Sequence, residues 1–251
     1  MFDFSLMQSL LPGVPLRLLE STGSTNSDAR VWLLDGAAHG SLVAAARQKT
    51  GRGRMGRAFD SAEGGLYMSL VLRSDLPAGV LTTLCAVAVR RAVFSLTGIP
   101  LDIKWVNDLQ RNGKKVCGIL CEGVWQGDVL LGVVAGIGLN VRQREFPPEL
   151  QEIAASLYPD GQAPVSLERF AAAIHQQIMA LLPQAPAHIA EYRQACITLG
   201  KPVSWERADG RHTGIARDVD VSGALIIDTS DGPVSIAAGE VSVRSQGTPR
   251  I

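Results

Sequence analysis

The chain has 251 residues, 46% of them hydrophobic, and balances 24 Lys and Arg against 24 Asp and Glu. It can therefore bury a full core, and it presents no global positive field to nucleic acid or to anionic lipid. No apolar run reads as a bilayer span and Met1-Phe2-Asp3-Phe4 lacks a basic export start, so a cytoplasmic protein without membrane attachment is expected.

After a start broken by Pro12-Gly13 and Pro15, the run Arg17 to Glu20 reads as a strand leading into Ser24-Thr25-Asn26-Ser27-Asp28, where a helix begins and runs to about Gly36. Thr25 with Asp28 three positions on has the form of a capping box. Hydroxyls and an amide clustered at a helix start can also hold a polar ligand. Ser41 to Ala46 reads as a strand that delivers Gln48-Lys49-Thr50-Gly51-Arg52-Gly53-Arg54-Met55-Gly56-Arg57, in which three glycines alternate with three arginines. Glycine permits positive φ and close approach of backbone N–H groups to a ligand, and guanidinium forks onto carboxylate or phosphate oxygens, so the segment is suited to an anion. An RNA-binding Arg-Gly tract would be longer, repeated and set in a basic chain. Here the run is single, and a buried strand at Leu66 to Leu72 follows.

Val80 to Thr97 has helical spacing and is stopped by Gly98 and Pro100; Leu101 to Val106 reads as a strand punctuated by Asn107-Asp108. Lys114 to Glu122 and Asp128 to Ile137 form an antiparallel pair about Gln126-Gly127, with a Gly136-Ile137-Gly138-Leu139-Asn140 exit. Helices are expected over Ser166 to Leu182 and Ala187 to Leu199. Beyond Gly200 the turns Asp209-Gly210, Ser222-Gly223 and Asp231-Gly232 mark a small all-β barrel, dividing the chain at 1–199 and 200–251. Cys85, Cys117, Cys121 and Cys196 are expected as free thiols, no His or Cys pair completes a zinc site, and none of the four histidines sits in a nucleophile motif.

Three polar clusters thus lie at strand ends: Ser24-Thr25-Asn26, the Arg-Gly loop, and Lys104-Trp105-Val106-Asn107-Asp108 with Lys115 beyond. Joining a carboxylate to the α-phosphorus of ATP brings two anions together, which Arg54, Lys115 and a metal could offset. Asn107 and Asp108 offer hard oxygens for magnesium, although Asn-Asp is also a common turn dipeptide.

In this order and spacing, Ser24-Thr25-Asn26, Gly51 to Arg57, Lys104 to Leu109 and Lys115-Val116-Cys117-Gly118-Ile119-Leu120 resemble the successive signatures of biotin protein ligases, and Gly136 to Asn140 and Gly239 to Arg244 extend the resemblance over nearly the whole chain. The resemblance implies an α+β fold: a mixed sheet flanked by helices, related to class II tRNA synthetases and lipoate ligases, followed by an SH3-like β-barrel. It implies that Ser24, Thr25 and Gln48 bond the biotin ureido ring, that Arg52 and Gly118 line the biotin site, and that Asn26 and Gly51 belong to the same set. Arg54 and Lys115 would hold the biotin carboxylate and α-phosphate. Arg57, Asn107, Asp108 and Asn140 would serve ATP and its Mg2+, with Glu240 and Arg244 reaching over from the barrel; Arg54, Lys115 and Asp108 form the catalytic set. The implied partner is a biotin carboxyl carrier protein that presents an acceptor lysine, and the family's homodimer through a sheet edge is left open.

The sequence departs from the family's frequent Pro, Trp and Ser-Pro at Val106, Phe59 and Ser61-Ala62, which alters loop stiffness and packing. Members that double as repressors carry an amino-terminal winged helix-turn-helix; with about twenty residues before Ser24, no DNA binding is expected here. A lipoate or octanoate transferase of related fold and a non-catalytic scaffold for biotinyl adenylate are the competing readings. The Arg-Gly loop and terminal barrel oppose the first, and retention of Arg54, Asp108 and Lys115 opposes the second.

Overall fold

The computed structural model describes residues 2–207, 209–237 and 244–245. Helix α1 (Phe4–Leu10) is capped by the Asp3 carboxylate, which accepts from the Leu6 N–H; with Met7 its single buried residue, it left little apolar pattern in the sequence. Strand β1 (Leu16–Leu19) runs parallel to β2 (Leu42–Ala45), with helix α2 (Thr25–Leu34) as the crossover. Strand β3 (Leu66–Leu72) follows, then helix α3 (Ala78–Thr97), closed by Gly98 in the left-handed region at φ 70°. The short strands β4 (Asp102–Lys104) and β5 (Asp108–Arg111) precede the long hairpin of β6 (Lys114–Gln126) and β7 (Val129–Leu139). Together they make one mixed sheet in the order β1-β2-β3-β7-β6-β5-β4. Helices α4 (Leu167–Leu181) and α5 (Ile189–Ala195) complete this part.

Alternation along β3 decides which face does what. Leu66, Met68, Leu70 and Leu72 pack into the main core with Leu81 and Leu84 of α3 and Phe170, Ile174 and Ile178 of α4. Val71, on the opposite face, packs with Val43, Val124 and Val134 under Ala29 and Leu33 of α2. Tyr67 and Ser69 share that second face, where the register aligns Tyr67 with Gly138 and Gly118, and Ser69 with Gly136 and Leu120.

Four sequence expectations are corrected. The strand read over Leu101 to Val106 is only β4; the chain turns at Trp105-Val106-Asn107, through a cis Trp105–Val106 peptide, and continues as β5. The helix expected over Ala187 to Leu199 is confined to α5. The Thr25–Asp28 capping box does not form: Ser24 is the N-cap, and Asp28 Oδ2 instead accepts from Thr22 Oγ1 at 2.5 Å. Helix α3 is long and apolar enough to span a bilayer by length and composition, against the expectation of no such run, but twelve of its residues are buried within the fold. All four cysteines are free.

After α5, strands β8 (Pro202–Arg207), β9 (Gly210–Val219), β10 (Leu225–Thr229), β11 (Gly232–Ile236) and β12 (Arg244–Ser245) form an antiparallel sheet in the order β11-β10-β9-β8-β12, the all-β unit expected there. Its β9–β10 turn abuts the first unit, with Gly223 O accepting from Trp105 Nε1 at 3.0 Å.

Candidate active site

The face shared by Tyr67 and Ser69 opens into a cleft of ≈ 610 Å3. Its floor is low because β6 and β7 place Gly118, Gly136 and Gly138 there. A Cβ on Gly138 would stand 2.5 Å from the Phe59 ring, one on Gly118 2.8 Å from the same ring, and one on Gly136 would collide with the Asn26 amide. Glycine in the strand interior thus admits a ring and an amide directly against backbone.

At one end the start of α2 meets Gln48. Gln48 Oε1 accepts from the Thr25 N–H at 2.8 Å and lies 3.1 Å from Thr25 Oγ1, while Gln48 Nε2 donates to Ser61 Oγ at 2.9 Å. Ser24 is buried, lines the cleft, and its hydroxyl makes no hydrogen bond among the described residues. Asn26 lines the cleft too, but its amide is engaged inward: Oδ1 accepts from Ser69 Oγ at 2.6 Å, and Nδ2 donates to Glu122 Oε2 at 2.7 Å and Leu120 O at 3.2 Å.

The Arg-Gly segment is a small hairpin. Phe59 N donates to Gly51 O, Gly53 N donates to Arg57 O, and a short 3-10 turn spans Arg54–Gly56. Of its three glycines only Gly56 has positive φ (74°); the other left-handed residue is Met55 at φ 56°. Gly51 lies behind the cleft wall, where a Cβ would meet Ser61 Oγ and Phe59 O, so its smallness serves packing. Arg52, Arg54 and Arg57 all line the cleft.

The turn from β4 to β5 brings the opposite charges. Lys115 Nζ is 2.7 Å from Asp108 Oδ1 and 5.4 Å from the centre of the Phe59 ring. Arg54 Nη1 donates to Asn107 Oδ1 at 3.3 Å, and Asn107 Nδ2 is tied to Ile119 O at 3.0 Å. Burial lowers the Arg54 pKa from its ordinary value and the Arg57 cation lowers it further, against the opposing pull of Asp108; an arginine so placed is still a cation at neutral pH. Asn140, at the end of β7, lines the cleft with its amide held by Ala155 O and Gln143 Nε2, both at 3.1 Å.

The fold therefore gathers Ser24, Thr25, Asn26, Gln48, Arg52, Arg54, Arg57, Asn107, Asp108, Lys115, Gly118 and Asn140 around one cleft. Glu240 lies outside the described residues, and Arg244 is described only as backbone in β12. Sequence reasoning gave no site role to Phe59, the ring on the floor, or to Ser69 and Glu122, which hold Asn26; single residues outside any motif gave no signal.

Residues 18–140 match the Biotin/lipoate A/B protein ligase family, and residues 198–244 match the biotin protein ligase C terminal domain. The chain is 35% identical over 240 residues to a biotin--[acetyl-CoA-carboxylase] ligase of Mycobacterium tuberculosis, covering 90% of this chain and 88% of that one. The chain belongs to the biotin protein ligase family. A bifunctional ligase/repressor BirA of Bacillus subtilis is 34% identical over 236 residues, which span 88% of this chain and 71% of that protein. Among solved structures, the biotin protein ligase of Aquifex aeolicus in complex with biotin and ATP superposes with a TM-score of 0.80 at 29% identity, covering 92% of this chain and 99% of that one. This family member thus has both the mixed sheet and the small β unit of biotin protein ligases.

Proposed function

We propose that this enzyme activates biotin with ATP as biotinyl-5′-AMP and transfers the biotinyl group to a lysine of a biotin carboxyl carrier protein. The observation that carries this reading is the placement of two cations, Arg54 and Lys115, in the same cleft as the Ser24, Thr25 and Gln48 cluster. Ser24 and Gln48 suit the ureido ring, having a free hydroxyl and an amide; Gly118 and Phe59 suit its apolar body. The carboxylate oxygen then bonds to the α-phosphorus, and the bond to the β-phosphate oxygen breaks to release pyrophosphate. Fixed cations stabilise the charge that develops, without the reorganisation water would need. In the second step the lysine nitrogen bonds to the acyl carbon, AMP leaves with the mixed-anhydride oxygen, and the amine gives up a proton.

Among the described residues no group of three or more His, Cys, Asp or Glu could hold a metal alone. Mg2+ commonly takes one or two protein oxygens and completes its shell with phosphate and water, so the side-chain oxygens of Asn107 and Asp108 are those that would serve the ion accompanying ATP, with Asn107 Oδ1 and Asp108 Oδ1 first given up by Arg54 and Lys115. When bound, the ion neutralises phosphate charge. Arg57 and Asn140 are assigned to the nucleotide, residues 1–199 to the catalytic unit, and the cytoplasm to the protein's location. Pyrophosphate exchange requiring biotin, ATP and magnesium together is the expected result. Exchange stimulated equally by lipoate would overturn the substrate assignment.

A further inference from the structure

Glu122 takes no part in the chemistry just set out, yet its carboxylate joins two walls of the cleft. It sits on β6 opposite Val134, on the face that carries the glycine floor. Glu122 Oε2 accepts from Asn26 Nδ2 at 2.7 Å and lies 3.5 Å from Arg52 Nη2. Asn26 belongs to the first turn of α2, and Arg52 to the Arg-Gly hairpin. A single carboxylate oxygen therefore ties the ligand loop to the sheet and to the helix start.

The root of the hairpin is fixed by backbone bonds, with Thr50 N donating to Gly23 O at 2.9 Å. Towards its tip the side-chain tethers are Arg52 to Glu122 and Ser27 on one side, and Arg54 to Asn107 on the other. Arg54 is the cation assigned to the reacting anions, so a bound ligand competes with its tether. Arg52 lines the cleft too, but its guanidinium is engaged by Glu122 and Ser27 and not by Asn107. The Arg52–Glu122 pair is also half open to water, at 47% and 37% side-chain exposure. An exposed pair is weak and reversible, whereas a buried one would cost several kcal/mol to desolvate; a loop that must open for substrate and close over product needs the former.

The geometry points to Glu122 as a positioning residue that latches the Arg-Gly hairpin through Arg52 while holding Asn26, and thereby sets how long the acyl adenylate stays in the cleft. The last clause rests on the ligase reading; the latch does not. Glu122→Gln keeps an acceptor for Asn26 Nδ2 and removes the charge facing Arg52. Arg52→Gln removes the other partner and serves if Glu122→Gln fails to fold. Amide hydrogen exchange of residues 52–57 in the ligand-free protein tests the latch without any biotin chemistry. Release of preformed biotinyl adenylate tests its consequence.

Each single variant is expected to speed both processes about threefold, within the range of an exposed ion pair, and the double variant to speed them no more than either single. Effects that multiply in the double variant, or loop exchange unchanged in both singles, would overturn the latch. A wild-type protein without pyrophosphate exchange would overturn the ligase reading alone, leaving the loop measurement to decide the latch.

Discussion

Lys115 has to be held in place in the cleft, and its 2.7 Å contact with Asp108 does this from the neighbouring strand. A cation placed between two reacting anions contributes most as charge develops, so Lys115→Ala is expected to lower turnover in pyrophosphate exchange by about a hundredfold or more, with a smaller change in biotin affinity. Rapid-quench turnover beside calorimetric titration of biotin separates the two, and an affinity loss with turnover at saturation unchanged would make Lys115 a ground-state contact. At this scale the sequence was informative wherever chemistry dictates residue type: Arg54, Lys115 and Asp108 stand in motifs whose spacing survives folding, and all three line the cleft. Asn26 shows the limit. Its polarity was readable, but the inward direction of its amide depends on Ser69 and Glu122, which are 43 and 96 positions away in the chain.

Among the elements, β6 and β7 decide the shape of the cleft. Gly136-x-Gly138 was weak as a motif, because a pair of glycines in a strand has meaning only once the residue opposite is known. The register supplies it: Gly138 lies beside Gly118, and the Phe59 ring covers both. Gly138→Ala is expected to push that ring into the cleft and weaken biotin binding about tenfold or more, with overpacking costing about 1–3 kcal/mol of stability if the ring cannot move. Titration calorimetry and thermal melting check the two effects; unchanged affinity and unchanged melting together would show that the floor has slack. The β4–β5 break escaped sequence analysis for a related reason. A three-residue strand has too few positions to show alternation.

The assembled molecule carries a buried titratable group away from the cleft. His188, ahead of α5, has Nε2 2.9 Å from Thr83 Oγ1 of α3, and Nδ1 without a hydrogen-bond partner among the described residues. Burial, and secondarily the Arg91 cation, push its pKa down to about 4 from 6.5. The folded state thus binds fewer protons than the unfolded state between those values. The stability contribution is full above pH 6.5 and is lost as pH falls toward 4. His188→Gln, which retains a donor toward Thr83, should flatten the melting temperature across that window relative to wild type; parallel profiles would remove His188 from the acid response.

The division of the chain into a mixed sheet and a small β unit was legible in the change of texture after Gly200, since hairpin turns are local. How the two meet was not, because no sequence pattern links Trp105 to a carbonyl at Gly223, 118 positions later. That contact makes the two units thermodynamic partners. Trp105 lines the cleft and donates its indole N–H to the β9–β10 turn of the small unit. A ligand that favours this orientation of the indole must strengthen the docking of the distant sheet by the same factor by which docking strengthens the ligand.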